Sequence, residues 1–236
     1  MNAFRCCLAA ALILGICGFA GADDSWVGQK VMQIKPEVKF GENGDDGQKY
    51  FPLKGVCWKV LKEKDVWLRI RGDDGKEGWV LKEDFTLLAD APAVYTDMIK
   101  ADEKRVWAWN IRGVAWNEKG EYENAIKDYT EAIRLDPKQA SVFYNRGYTW
   151  QAKKEYDKAI KDYDEAIRLD PKDALAFNNR GYTWSVKKEY DKAIKDYNEA
   201  IRLNPKDALV FNNRGVSMLI AHQSKASADF QLVTVP

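Results

Sequence analysis

The sequence predicts a mainly α-helical protein in which a solenoid of repeated helical hairpins follows a small all-β domain. Two observations predict this fold class: short motifs recur at a constant step from residue 106 onward, and runs of β-branched and aromatic residues precede them. The chain has 236 residues, 46% of them hydrophobic and 31% charged. That composition allows a buried core and is not typical of a disordered chain.

The first element, residues 1–22, has the layout of a secretory signal peptide. Arg5 supplies a positive start, residues 6–19 form an uncharged apolar run, and residues 20–22 are the small residues Ala-Gly-Ala. Small residues after an apolar run are typical of a cleavage site, and the run is short for a membrane span. The sequence therefore predicts an exported protein, periplasmic or extracellular, with no transmembrane span in the mature chain.

Two alternatives for this segment stay open. Without cleavage, the apolar run would anchor the chain at its N-terminus. Residues 14–17 resemble a bacterial lipobox, which implies lipid attachment at Cys17, but Ile16 stands where that motif prefers a small residue. Lipoprotein anchoring through Cys17 is therefore the weaker expectation.

Residues 24–90 form the predicted β domain. Apolar runs at 56–61, 66–70 and 78–80 are rich in β-branched and aromatic residues, and turn sequences rich in Gly and Asp separate them. The segment 78–85 reads Gly-Trp-Val-Leu-Lys-Glu-Asp-Phe, which resembles the closing strand and short turn of bacterial SH3-like domains. The resemblance implies a small all-β SH3-like barrel.

Residues 91–236 carry the repeats. The dipeptide Arg-Gly begins at residues 112, 146, 180 and 214, and prolines follow at 137, 171 and 205 with the same 34-residue step. Repeats 140–173 and 174–207 are identical at 27 of 34 positions. A period of this length is typical of stacked helical hairpins, because one hairpin cannot bury its apolar face without neighbours.

Within each repeat, aromatic and small residues stand at fixed spacings. In the second repeat the set is Phe143, Gly147, Trp150, Ala159, Tyr163, Ala166 and Pro171. The set is similar to the signature of tetratricopeptide repeats (TPRs), in which small residues let the two helices approach and proline ends the second helix. The resemblance implies an α-solenoid of hairpins at 106–139, 140–173 and 174–207, a capping helix at 91–103, and a degenerate repeat at 208–236 with a short second helix.

One departure from the TPR pattern is systematic. Arginine replaces the usual leucine at residues 112, 146, 180 and 214. These arginines could form a row of ligand-binding groups, or each guanidinium could pair with an acid of an adjacent helix. Asp128, Asp162 and Asp196 recur at the same step, which favours pairing within the protein.

The sequence contains no recognisable catalytic or metal-binding set. His222 is the only histidine, and Cys57 is the only cysteine beyond residue 22, so neither a histidine-based triad nor a thiol metal site can be assembled. The 37 basic and 36 acidic residues nearly balance, which does not favour nucleic acid. We therefore expect no enzymatic activity and no cofactor, and partners that are proteins or peptides.

The TPR resemblance implies a binding groove lined by the first helix of each hairpin. The candidate groove residues are Asn110, Tyr144, Asn145, Tyr148, Asn178, Asn179, Tyr182, Asn212 and Asn213. None is charged, so the groove lacks the basic clamp with which chaperone-binding TPR families hold a C-terminal carboxylate. An asparagine amide offers both a donor and an acceptor, so it could pair with a peptide backbone. The alternative is that these asparagines only join neighbouring first helices.

The leading functional interpretation is a non-catalytic scaffold that binds a protein or an extended peptide in this groove. The alternative places recognition in the β domain, as a cell-wall or glycan-binding module with the repeats as a spacer. Aromatic residues that could stack on a sugar are Tyr50, Phe51, Trp58, Trp67 and Trp79.

The C-terminal edge gives one more expectation. The first helix of the last repeat carries Phe211, Met218, Leu219 and Ile220, while the helix that should cover it is short. Terminal repeats normally need a polar outer face for solubility. The sequence therefore predicts that this edge associates with a second copy or with the partner.

Overall fold

The computed structural model describes residues 25–34, 39–40, 51–52, 57–64, 66–71, 75 and 77–233, with the backbone alone at 39–40, 51–52 and 224–233. The predicted signal peptide, with Cys17, and the aromatic residue Tyr50 lie outside the described residues.

The N-terminal domain is an antiparallel β-sheet. The described strands are β1 (Lys30–Gln33), β2 (Lys39–Phe40), β3 (Phe51–Pro52), β4 (Cys57–Lys64), β5 (Trp67–Arg71), β6 (Glu77–Leu81) and β7 (Phe85–Leu87). Five of them form one sheet in the order β6-β5-β4-β1-β7, and β2 pairs with β3. Across the described residues, β6 and β7 are edge strands of an open sheet, so the sheet is confirmed and barrel closure is not.

One face of this sheet forms a small core. Leu68 and Ile70 of β5 are buried while Arg69 and Arg71 are exposed, which is the alternation of a half-buried strand. Trp58 is also in this core, with its ring edge-on to Phe85 at a centroid distance of 5.6 Å. A short 3-10 turn links β6 to β7 at Lys82–Asp84.

From Ala91 to Val233 the chain forms helices joined by short turns. Its described helices are α1 (Ala91–Ala101), α2 (Val106–Glu118), α3 (Tyr122–Leu135), α4 (Ala140–Ala152), α5 (Tyr156–Leu169), α6 (Ala174–Val186), α7 (Tyr190–Leu203) and α8 (Ala208–Val233). The pairs α2–α3, α4–α5 and α6–α7 pack as hairpins, and each hairpin packs on the next. Within the described part of the chain, no helix combines the length and apolar character needed to cross a membrane.

Glycine and tyrosine set the spacing inside each hairpin. A Cβ added to Gly147 would lie 3.1 Å from the Tyr163 ring, and one added to Gly181 would lie 3.0 Å from the Tyr197 ring. Both tyrosines are almost fully buried. The first helix can therefore lie directly on the aromatic ring of the second only because glycine stands there.

The sheet and the helices share one core. Met32 of β1 packs in the same buried cluster as Ala91 and Tyr95 of α1. The Tyr95 hydroxyl donates a hydrogen bond to the carbonyl of Gln33, and its ring meets Trp107 of α2 edge-on at 6.4 Å. Helix α1 thus joins the sheet to the first hairpin through apolar packing as well as through the chain.

The C-terminus differs from the expected degenerate hairpin. Helix α8 continues without a turn to Val233, where the sequence predicts a short second helix after Ile220. In two preceding repeats a lysine, Lys153 or Lys187, follows the end of the first helix and pairs with an acid of the previous repeat, and Ala221 stands at the equivalent position. Alanine has the highest helix propensity, so the helix continues through this point.

Candidate binding groove

Neighbouring first helices are joined by a repeated side-chain hydrogen bond. Asn145 Nδ2 donates to Asn110 Oδ1 at 3.0 Å, Asn179 Nδ2 to the Tyr144 hydroxyl at 2.8 Å, and Asn213 Nδ2 to Asn178 Oδ1 at 3.2 Å. Each bond joins equivalent regions of consecutive first helices, along α2, α4, α6 and α8. We call this row the amide ladder, and the surface that it crosses the first-helix face.

The asparagines join neighbouring first helices, and each ladder bond uses only part of the hydrogen-bonding capacity of an amide. An amide nitrogen carries two N–H groups, and the bond to the neighbouring repeat uses one of them. Asn178 is buried, while Asn110, Asn145, Asn179 and Asn213 are half-buried. The ladder therefore holds the half-buried amides at the surface, while the Asn178 amide is enclosed and also donates to Asn179 Oδ1 at 3.5 Å.

The aromatic members of the predicted groove fall into two classes. Tyr144 is half-buried, and burial raises the pKa of its hydroxyl to about 12. Tyr148 and Tyr182 are 46% and 45% exposed and occupy equivalent positions of consecutive repeats on the first-helix face. Asn212 is exposed as well. The surface open to a ligand is thus formed mainly by Tyr148, Tyr182 and Asn212, with the ladder amides between them.

Two exposed leucines extend this surface beyond the predicted set. Leu175 and Leu209 are 55% and 59% exposed and occupy the same position of α6 and α8. They are 34 residues apart, so the repeat period in the sequence could have identified them as members of this surface. On α6, Leu175 and Tyr182 lie seven residues apart, which places them on one side of the helix.

A second polar row, the arginine ladder, joins first helices to second helices. Each arginine makes paired hydrogen bonds to the aspartate 16 residues ahead: Arg112 to Asp128, Arg146 to Asp162 and Arg180 to Asp196, all at 2.7–2.8 Å. The predicted pairing of arginine with an adjacent acid is confirmed.

Each of these guanidinium groups also reaches the previous repeat. The Nη1 atom of Arg180 donates to Asp164 at 2.7 Å, 16 residues back, and Arg112 and Arg146 reach Thr96 and Thr130 in the same way. The aspartates of the ladder are buried, and burial raises the pKa of Asp128 while the Arg112 bonds oppose that rise. The guanidinium groups are thus used within the protein.

The remaining chemically reactive residues do not converge. His222 is exposed on α8, and Cys57 lies in β4 without a disulfide. Among the residues that the structure describes, no group of three or more His, Cys, Asp or Glu side chains could hold a metal ion.

Family models identify the repeats. A TPR repeat model matches residues 113–153, and the tetratricopeptide repeat model matches residues 140–173 and 174–207. The last two ranges coincide with the second and third predicted repeats. The helical region therefore contains tetratricopeptide repeats. No curated protein sequence matches the chain.

Solved structures share this helical fold. The crystal structure of MamA is 25% identical, with a TM-score of 0.55, and the match covers 60% of this chain and 81% of that one. The first TPR of Spaghetti (RPAP3), bound to the HSP90 peptide SRMEEVD, is 22% identical, with a TM-score of 0.50 and coverage of 51% and 96%.

Proposed function

We propose that the repeats act as a non-catalytic scaffold that holds a protein or an extended peptide along the first-helix face. The observation that carries the proposal is the repetition of exposed tyrosines beside fixed amides. Tyr148 and Tyr182 recur one repeat apart. Each lies three residues after an asparagine, Asn145 or Asn179, whose side-chain amide donates a ladder hydrogen bond. A surface with the same chemistry at each repeat suits an extended polypeptide, whose backbone groups also repeat.

Binding would combine apolar contact with backbone hydrogen bonds. The tyrosine rings offer apolar area with a polar tip. The second N–H of each half-buried ladder amide can donate to a peptide carbonyl, and an amide oxygen outside the ladder bond can accept from a peptide N–H. Because the ladder bonds already fix these side chains, a ligand immobilises fewer rotamers on binding.

We propose that the groove holds its ligand without basic side chains that bind a terminal carboxylate. The RPAP3 domain, which has the same fold, is bound to a peptide that ends in Glu-Glu-Val-Asp. That complex supports peptide binding as a use of the fold. The predicted groove residues of this chain are uncharged, so we propose recognition of backbone and apolar side chains rather than a terminal carboxylate.

Selection of random linear peptides on phage against the full chain tests this proposal. Changing Tyr148 and Tyr182 together to Ala should weaken binding of the selected peptides about tenfold or more, because truncated aromatic anchors at interfaces cost at least that much. The matched control changes Tyr156 and Tyr190, which occupy equivalent positions at the start of two second helices.

The two double variants separate the outcomes. Peptides that bind the Tyr148/Tyr182 variant as well as the natural chain would exclude the first-helix face. Binding that collapses between low and moderate salt would contradict an uncharged groove, because salt screens exposed charges over about 10 Å.

We propose that the N-terminal sheet is an SH3-like domain that supports the scaffold. The 3-10 turn between β6 and β7, at the position where the SH3-like motif has its short turn, supports this assignment. Of the aromatic residues named for glycan stacking, Trp58 is 3% exposed in the sheet core and cannot face a ligand. Trp67 and Trp79 are half-buried on the opposite face of β5 and β6, so they stay as the candidates for that alternative. The shared core with α1 also suits a fixed attachment better than a spacer.

Export is part of the same proposal. The charged start and apolar run of residues 1–22 support it. Mass spectrometry of the native protein should find an N-terminus near Asp23. An N-terminal Met1 on protein from the cytoplasm would contradict export.

A further inference from the structure

In the complete hairpins, the same set of contacts joins the first helix to the second. In α6–α7, Gly181 lies on Tyr197, Arg180 pairs with Asp196, and Phe177 and Trp184 pack in one cluster with Ala193 and Ala200. The second helix supplies the pattern Ala-x-x-Asp-Tyr-x-x-Ala at residues 193–200, and the same pattern stands at 125–132 and 159–166.

Helix α8 presents the first-helix half of this set without its complement. Around Gly215, a Cβ would meet no described atom within 4 Å. Phe211 and Met218, equivalent to Phe177 and Trp184, are 42% and 49% exposed. Arg214 donates to Asn198 of the previous repeat at 2.8 Å, but the residue 16 positions ahead is Phe230, which has no carboxylate.

The neighbouring surface of α7 is open at the same place. A cavity of about 780 Å³ is lined by residues that include Ile194, Asn198 and Arg202. Asn198 is also the residue that accepts the Arg214 hydrogen bond. The equivalent of Ile194 in the preceding repeat, Ile160, is buried. Both the exposed face of α8 and the outer side of α7 therefore lack a covering helix among the described residues.

The chain contains the missing complement in its last residues. Residues 226–233 read Ala-Ser-Ala-Asp-Phe-Gln-Leu-Val, which matches the second-helix pattern as Ala-x-x-Asp-Phe-x-x-Val. These residues continue α8 as one helix. A continuous helix carries its C-terminal half away from its own N-terminal half, at a rise of about 1.5 Å per residue, so the segment cannot cover the face that precedes it.

We propose that two copies of this chain exchange the C-terminal halves of α8. Residues 224–233 of each copy cover Gly215 of the other, and Asp229 of one copy pairs with Arg214 of the other. A two-fold axis sets the two α8 helices antiparallel, which is the direction that the two helices of a hairpin also have. Exchange of an identical element is a common route to dimers.

The register of this exchange is internally consistent. Placing Gly215 against Phe230 of the second copy also brings Phe211 opposite Val233 and Met218 opposite Ala226. The equivalent residues of α6–α7, Phe177 and Trp184 with Ala193 and Ala200, share one cluster. The axis then passes near His222, so every position of the hairpin contact set is filled by one symmetric arrangement.

Charge exchange across the interface gives a sharp test on the full chain. Arg214→Asp and Asp229→Arg should each convert a dimer to a monomer in sedimentation equilibrium, with a dissociation constant raised about 30-fold or more, since each leaves a desolvated charge beside a like charge. Mixing the two single variants should restore dimers, because the mixed dimer has Asp against Arg at one site and Arg against Asp at the other. Arg134→Asp, at the equivalent exposed position of α3 and remote from α8, is the control for added negative charge.

Each outcome decides for or against the exchange. A natural chain that stays monomeric at about 100 μM, where even weak specific dimers form, overturns it. So does a dimer that tolerates both single variants, or a pair of monomeric variants that stays monomeric on mixing. The last result would show that Arg214 and Asp229 do not pair across the interface. Circular dichroism of each variant confirms that the helices remain folded.

Discussion

Two polar ladders run through the same repeats, and they differ in charge, burial and reach. The arginine ladder uses buried ion pairs in which one guanidinium bonds to two second helices. The amide ladder uses neutral side chains, most of them half-buried, and one bond between neighbouring first helices. A single repeat period therefore supplies an internal linkage on one side and an accessible polar surface on the other.

The difference follows from the energetics of burial. Loss of one partner from a buried ion pair is costly, because the desolvation of the remaining charge is no longer compensated. A half-buried amide can exchange a protein partner for water or a ligand at small cost. We therefore expect the arginine ladder to determine stability and the amide ladder to contribute to recognition.

The largest expected effect is loss of one arginine-ladder pair. Asp162→Ala leaves the Arg146 guanidinium without its paired carboxylate and should lower the free energy of unfolding by about 3 kcal/mol. Urea unfolding followed by circular dichroism measures it. The matched control is Glu165→Ala, which removes the exposed partner of Arg168 on the same helix and should leave the unfolding curve nearly unchanged. Equal costs for the two variants would contradict the assigned difference between buried and exposed pairs.

As the pH rises above about 10, we expect the amide ladder to lose stabilising free energy first, because its Tyr144 can lose a proton while the arginines of the arginine ladder stay charged. Burial holds the pKa of Tyr144 at about 12, above the usual value of 10.0. The folded state then keeps a proton that the unfolded chain loses, so this stabilisation is complete below about pH 10 and declines as the pH rises through about 12. Arginine stays charged over this range.

Tyr144→Phe isolates that contribution. Between about pH 10 and pH 12, the free energy of unfolding should fall less steeply for the variant than for the natural chain. The two slopes should differ by about 1.4 kcal/mol per pH unit. Stability curves measured by urea unfolding at several alkaline pH values provide the comparison. Parallel curves for the two proteins would mean that Tyr144 does not hold its proton in the folded state.

The smallest expected effect is loss of one amide-ladder bond. Asn145→Ala should lower the free energy of unfolding by about 1 kcal/mol, the usual net value of one hydrogen bond. Asn212→Ala, at the exposed equivalent of Asn178, should be nearly neutral. A cost for Asn145→Ala as large as that for Asp162→Ala would remove the distinction between the two ladders.

The sequence predicts the repeats well because their contacts are periodic. The pairing of Arg146 with Asp162 follows from two motifs that recur with one step, and helix ends follow from the Asp-Pro pairs. Whether Asn145 bonds to Asn110 or projects to a ligand cannot be read from the same spacing, because both arrangements have the same period. That choice depends on the distance between neighbouring first helices, which the spacing of the motifs does not specify.

The sheet and the C-terminus are less predictable for different reasons. Pairing of β1 with β7 joins strands that are far apart in the chain, and local alternation carries no information about such partners. Alternation also leaves the inward face undetermined in a short run, so Trp58 and Trp67 look alike in sequence although Trp58 is in the core. In α8 the second-helix motif is present, but the turn that would fold it back is not formed.

The equivalence of the links between repeats has an evolutionary consequence. Arg180 bonds to Asp164 and Asn179 to Tyr144, and the residues one period earlier make the same kinds of contact with the repeat before. Duplication of a gene segment that encodes one repeat therefore inserts a hairpin whose two interfaces already fit its neighbours. The 27 identical positions shared by 140–173 and 174–207 are what such a duplication leaves behind. The length of the first-helix face can thus change by whole repeats, without any new interface having to arise by point mutation.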